Sequence, residues 1–135
     1  SFTKIPNGAP GIGDRVNLVY SYGVAQGKIS RNKFAEVMST NPAKIFGMFP
    51  KKGSIAVGSD ADFTIIDPAK KGEISVKTSH HKVDYNSYEG FKLHGMNVMT
   101  VSRGRLIARD DKFLGTLDHG QYLKRNKFNP DEWSA

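Results

Sequence analysis

The sequence predicts an α/β chain in which helices come first and strands follow, with the boundary near Pro50-Lys51-Lys52-Gly53. Two observations carry this expectation. In the first third, Val16, Val19, Tyr20, Gly23 and Val24 recur at i, i+3, i+4, i+7 and i+8, the spacing of one helix face. Beyond residue 60 the period changes to short β-rich runs closed by turn residues, as at Phe63-Thr64-Ile65-Ile66 before Asp67-Pro68. Helices and strands segregated in this way read as an α+β arrangement or as two separate pieces.

Each element follows from local chemistry. Residues 4–13 hold Pro6 and Pro10 with Gly8, Gly11 and Gly13, which excludes regular structure. Asp14 is placed to cap the first helix, and Gly27 to end it from the C′ position. Ser30 caps a second helix that buries Phe34, Val37 and Met38. Asn41, with Pro42 at the first helical position, opens a short third one, in which Ile45 and Phe46 face inward and Gly47 closes the turn. Among the strands, Glu73-Ile74-Ser75-Val76-Lys77 alternates as a strand with one wet face. Residues 97–102 and 106–108 flank Arg103-Gly104-Arg105, a hairpin signal. Residues 112–114 add an edge strand after the Asp110-Asp111 turn. Residues 118–135 are polar and irregular, with Tyr122, Phe128 and Trp133 as anchors.

Composition narrows the function classes. With 135 residues and 38% hydrophobic content, a small core is available but a large self-contained one is not promised. Three helices with so few large apolar residues need something larger to lie against. The absence of cysteine excludes disulfides and thiolate metal sites, and a cytoplasmic location is expected. No run reaches the ~18 apolar residues of a membrane span. Ser1-Phe2-Thr3-Lys4-Ile5-Pro6 lacks a Met and opens in mid-phrase, as expected of a fragment. The net charge of +7 raises nucleic acid as a partner. The excess is spread thinly, however; residues 44–82, for example, set seven Lys against Asp60, Asp62, Asp67 and Glu73. No stripe or patch results, so a solvated basic surface is expected and nucleic-acid binding is not.

The chemical constellations are incomplete. His80 and His81 are adjacent and would point to opposite faces of a strand. With His94 and His119 they form no His-x-His or His-Glu-x-x-His pattern. Asp60-Ala61-Asp62 lacks the oxygen-rich pattern of a calcium loop, and carboxylates there are expected to seal a turn. No dinucleotide fingerprint or nucleophile elbow occurs. In Ile5-Pro6-Asn7-Gly8, Pro6 fixes its own φ and Asn7-Gly8 permits a tight turn. Such a loop can turn a backbone N–H and a C=O the same way.

Several stretches, taken together, closely resemble dihydropyrimidinases and D-hydantoinases. They are residues 2–8 with Ile-Pro-Asn-Gly, Asp14-Arg15, Ser39-Thr40-Asn41-Pro42-Ala43-Lys44, residues 52–62, Val83-Asp84-Tyr85-Asn86, Tyr88-Glu89-Gly90 and residues 120–125. The resemblance is to the C-terminal portion of those enzymes. It implies a (β/α)8 barrel with a β-sandwich, of which residues 1–50 would supply the last loop and closing helices. Residues 51–117 would then be sandwich strands, and residues 118–135 a tail at a contact in a homotetramer. It also implies two zinc-type ions bridged by a carboxylated Lys and a hydroxide that attacks the ring amide, with ligands upstream of Ser1 and none in these residues. Asn7 alone carries over, as a main-chain contact to the cyclic substrate. By this resemblance the fragment by itself is expected to be inactive. The alternative is a non-catalytic, dihydropyrimidinase-related assembly protein that has lost the metal ligands.

Overall fold

The computed structural model describes residues 3, 5 and 8–132. Two continuous helical segments, 15–24 and 31–45, precede a four-stranded sheet. The first is α1 (Arg15–Val19), running on into a π-helical turn (Tyr20–Val24). The second is α2 (Arg31–Ala35), a π-helical turn (Glu36–Thr40) and α3 (Asn41–Ile45). Both end in the same way. At Gly27 (φ +71°) the Gly27 N–H donates to Val24 O (2.9 Å) and the Lys28 N–H to Gly23 O (2.8 Å). At Gly47 (φ +65°) the Gly47 N–H donates to Lys44 O (3.1 Å) and the Met48 N–H to Ala43 O (2.8 Å). This is the paired Schellman closure, which needs a left-handed residue and so selects glycine. Ser30 caps the second segment through its Oγ, which accepts from the Lys33 N–H at 3.0 Å.

Asn41 begins α3 with Pro42 in its first turn, as expected, but no break separates it from the helix before. Thr40 and Asn41 both have helical backbone, and the chain passes through Pro42 unbroken. The bulge just ahead explains this. The Asn41 N–H reaches back five residues to Glu36 O, and the widened turn makes room for a ring that would otherwise strike the preceding carbonyl. Ile45 and Phe46 do not face inward: they are 45% and 52% exposed, and Ala43 is the buried residue of α3. On the second segment Phe34 and Met38 are half-buried, while Val37 is exposed. Asp14 stands at the N-cap position but makes no side-chain cap bond.

The strands β1 (Phe63–Glu73), β2 (Lys92–Ser102), β3 (Arg105–Arg109) and β4 (Lys112–Phe113) form an antiparallel meander in that order. β1 does not end at Asp67-Pro68. Its register against β2 shifts between Asp67 and Lys71 and then resumes. Pro68 lacks an N–H, and an edge strand with a bulge tolerates that loss. Nor do residues 73–77 form a strand: β1 stops at Glu73, and a turn follows. Arg103 (φ 45°) and Gly104 (φ 75°) make the β2–β3 turn, and Asp110 (φ 46°) and Asp111 (φ 63°) the β3–β4 turn. Two consecutive left-handed residues are the requirement of the two-residue hairpin.

Helix 15–24 docks on β2 through polar as well as apolar contacts. β3 pairs with β2 only from Met99 onward, which leaves the N-terminal half of that edge without a strand. Side chains of the helix fill the gap. The Asn97 N–H donates to Asn17 Oδ1 (2.9 Å), the His94 N–H to Ser21 Oγ (2.9 Å), and Tyr22 Oη to Lys92 O (3.1 Å). Beside Ser21, the Tyr20 ring lies on Gly95 (φ +83°), where a Cβ would come within 2.5 Å of Tyr20 Cδ1. Tyr20 also meets Phe34 edge-on at 5.5 Å, which links the two helical segments.

Little of this is interior. The buried apolar residues are Tyr20, Ala43, Ile74 and Leu93, against sixteen exposed large hydrophobics among the described residues. The accessible surface is 9910 Å², whereas a compact protein of this mass presents roughly 7,000 Å².

Candidate functional site

The loop after β1 folds back over the segment that leads into helix 15–24. Glu89 organises its start, accepting from Ser75 Oγ (2.8 Å) and the Val76 N–H (2.7 Å). Gly90 (φ +80°) donates its N–H to Ile74 O at 2.9 Å. Asn86, 9% exposed, works in two directions. Its Oδ1 accepts from the Tyr88 N–H (2.9 Å), which sets the turn, and its Nδ2 donates to Asp14 Oδ2 at 2.8 Å. This bond occupies the carboxylate expected to cap the helix. Tyr85 Oη donates to Gly8 O across 77 residues of sequence. Tyr88 and Phe91 meet edge-on at 5.7 Å, and Phe91 meets Tyr22 at the same distance. The Val83-Asp84-Tyr85-Asn86 and Tyr88-Glu89-Gly90 stretches are thus the parts that tie residues 8–14 to the body of the molecule. Asn7, the substrate-contact residue expected from the sequence, lies outside the described residues, as does Trp133.

A second cluster joins helices to sheet. Lys52 Nζ lies 2.8 Å from Asp60 Oδ2 and pairs with Asp62 as well. Asp62 Oδ1 accepts from the Arg103 N–H (2.8 Å), and Ala61 O from the Gly104 N–H (2.9 Å). Asp62 meets the expectation of a carboxylate that accepts a backbone N–H, though from the distant β2–β3 turn, while Asp60 pairs with Lys52. Ser54 Oγ and Ser59 Oγ both donate to Pro50 O at 2.8 Å. Burial pushes the Asp62 carboxyl up, but hydrogen bonds from Lys52 and the Arg103 N–H outweigh it and hold the group below the ordinary carboxylate range. Burial likewise pushes Lys52 down, and its bonds to Asp60 and Asp62 outweigh that and raise it.

The sign of the pH dependence follows. A depressed Asp62 contributes stability above its unfolded value of about 3.9 and loses it as pH falls through the folded value. A raised Lys52 contributes below its unfolded value of about 10.4 and loses it as pH climbs through the folded one. Lys52→Met should therefore flatten both limbs of a melting-temperature profile between pH 2.5 and 11, most visibly below about pH 4. An unchanged acid limb would show that the cluster contributes nothing.

The imidazoles do not converge. His80 Nε2 is 3.7 Å from Asp111 Oδ1, both exposed. His81 stands against Gly13, His94 uses its main chain on Ser21, and His119 Nε2 lies 3.1 Å from Ser102 O. Among the described residues no group of three or more His, Asp or Glu could hold a metal ion. No described helix is long and apolar enough to cross a membrane.

The tail crosses the end of helix 31–45. The Asn126 N–H donates to Gly47 O (2.8 Å), and a Cβ on Gly47 would lie within 2.7 Å of the Asn126 carbonyl carbon. The Arg103 guanidinium donates to His119 O. Tyr122, expected as an anchor of the tail, is 92% exposed within this chain.

Helical segments docked on an antiparallel meander, with a loop strapped over the entry to the first helix, are shared with one class of hydrolase. The chain belongs to the Amidohydrolase family, whose model matches residues 14–107. Within that class the relatives have narrower names. A D-hydantoinase of Geobacillus stearothermophilus is 51% identical over 94% of this chain, and a dihydropyrimidinase of Rattus norvegicus is 48% identical over 94%. A solved D-hydantoinase from Bacillus sp. AR9 superposes over 96% of the chain with a TM-score of 0.89 at 53% identity. This chain spans 27% and 24% of the two relatives' lengths and 28% of the solved chain.

Proposed function

We propose that this chain is the C-terminal part of a metal-dependent cyclic amide hydrolase acting on 5,6-dihydropyrimidines or hydantoins. The observation that carries the reading is identity of about half across nearly the whole chain to a D-hydantoinase and a dihydropyrimidinase. In this reading residues 1–50 complete a catalytic barrel, residues 51–117 belong to a β-sandwich, and residues 118–135 meet a neighbouring subunit of an oligomer. Sixteen exposed large hydrophobics among the described residues support it, because a surface that apolar is one that other protein covers. The metal ions are held by residues outside this chain.

The contribution of this segment is recognition of the ring. A small ring locks its amide cis, which sets N–H and C=O side by side. The main chain of Asn7 offers the complementary pair at low ordering cost. Ring opening of dihydrouracil and of hydantoin should be measured on the full-length polypeptide and on the 135 residues alone. Chelator-sensitive turnover by the former and none by the latter is expected. Turnover by the latter, or none by the metal-loaded former, refutes the reading. Within the full-length enzyme, Asn7→Pro removes the N–H and should raise KM roughly tenfold or more. Asn7→Ala keeps the main chain and should stay within about threefold of the parent.

A further inference from the structure

We propose that Tyr85 is a positioning residue for substrate recognition, acting through the carbonyl of Gly8. The inference rests on the reading of Asn7 above and extends it to a residue in a different part of the chain. Gly8 follows Asn7 directly. It has no side chain to pack, it is exposed, and nothing lies within 4 Å of where its Cβ would stand. Sterics therefore do not fix its backbone, and a glycine left to itself samples both signs of φ. Among the described residues the Tyr85 hydroxyl is the hydrogen-bond donor that ties this point to the rest of the molecule.

Tyr85 is itself well placed to do so. Its neighbour Asn86 is clamped between the Tyr88 N–H and the Asp14 carboxylate, so the turn that carries the phenol is fixed at the next residue. Gly11 packs at 3.4 Å from Tyr88 Cε2 and Gly13 at 3.2 Å from His81 Nε2, measured from the Cβ each would carry. The strap thus touches the segment at four points, residues 8, 11, 13 and 14. Three lie toward the helix, and among the described residues the Tyr85 contact is the one nearest Asn7 in the chain, at Gly8. A main-chain donor and acceptor read a ring edge only if their peptide planes are held still, and Tyr85 is the group that stills the C-terminal side of that pair. The phenol touches neither substrate nor metal in this role.

The test uses Tyr85→Phe in the full-length enzyme, which deletes one hydroxyl and keeps the ring. KM for dihydrouracil and hydantoin should rise about three- to tenfold, the factor set by loss of one ordering hydrogen bond. kcat should stay within about twofold, because the loss is one of uniform binding. The melting temperature and bound metal should match the parent. Hydrogen exchange should quicken in the peptide spanning residues 5–11 and stay unchanged in β2. An unchanged KM in Tyr85→Phe, with Asn7→Pro strongly impaired, overturns the inference and leaves the reading of Asn7 standing. If Asn7→Pro is unimpaired, both go. A lowered melting temperature with KM unchanged assigns Tyr85 a purely structural role and also overturns the inference.

Discussion

Gly95→Ala should destabilise the full-length protein by about 3 kcal/mol or more. Two costs combine. Gly95 has φ +83°, outside the region that L-residues favour, and forcing one there costs roughly 1–3 kcal/mol. The added Cβ would also press on the Cδ1–Cε1 edge of the Tyr20 ring, within 2.5 Å of Cδ1. The ring cannot swing clear. It is 8% exposed, it meets Phe34 edge-on, and Ser21 beside it is bonded to the His94 N–H and the His94 carbonyl. Gly27→Ala separates the two costs. Gly27 has φ +71° but open space around its Cβ position, so it should show the backbone cost alone, about 1–2 kcal/mol. A double-mutant cycle adds a second check. Tyr20→Ala should cost less in the Gly95→Ala background than in the parent, because the clash is gone. Thermal unfolding of the parent and these four variants measures all of this, and equal midpoints for Gly95→Ala and Gly27→Ala would refute the steric part.

This junction shows why some of the fold was legible in the sequence and some was not. Signals that act within a few residues were readable. Ser30 caps, Gly27 and Gly47 close their helices, and Arg103-Gly104 and Asp110-Asp111 turn, each by chemistry contained in four to six residues. Breakers were over-read. Pro42 and Pro68 were expected to bound a helix and a strand, yet a π-bulge ahead of one and a β-bulge around the other let the chain continue. Alternation at residues 73–77 implied a strand, but Glu89 folds that stretch into a turn from a site more than ten residues away. The inward direction assigned to Ile45 and Phe46 assumed a core on their side, and the tail lies near that helix end instead.

The site follows the same division. Ile5-Pro6-Asn7-Gly8 stands out because its turn chemistry is local. Val83-Asp84-Tyr85-Asn86 had no role that spacing could reveal, since its partners Gly8 and Asp14 are more than seventy residues distant. The signal available was the presence of both motifs in one chain, which marks likeness to a family but says nothing about contact. The fold supplies that contact by sending β1 out and β2 back, so that the connecting loop returns over the segment that enters helix 15–24.

Gly53→Ala is the second substitution with a large expected effect, about 2–4 kcal/mol, and it acts at the other joint between helices and sheet. Gly53 has φ +81°, and its Cβ would stand 2.5 Å from Ala43 Cβ and 3.0 Å from Ser39 O. One obstacle is the buried methyl of α3 and the other is main chain, so neither can rotate away. The carbonyl of Gly53 also accepts from Thr40 Oγ1 at 2.8 Å, which holds the loop against the helix at the point where the methyl would push it off. Displacement would reach the next residue, Lys52, whose ammonium pairs with Asp60 and Asp62, and through Asp62 the N–H of Arg103 in the β2–β3 turn. Gly58 lies in the same loop with φ +94° and nothing within 4 Å of its Cβ position. Gly58→Ala should therefore show only the cost of the backbone angle, about 1–3 kcal/mol. The discriminating measurement is the pH profile of the melting temperature for both variants. Gly53→Ala should lower the midpoint further and flatten the acid limb that the Asp62 carboxylate supplies, because moving residue 53 moves Lys52 away from its partners. Gly58→Ala should shift the whole profile down and leave its shape intact. If the acid limb survives in Gly53→Ala, the joint does not run through Lys52, and the coupling of helices to sheet rests on the Tyr20–Gly95 contact, the side chains that cover the edge of β2 and the loop bonded to Asp14.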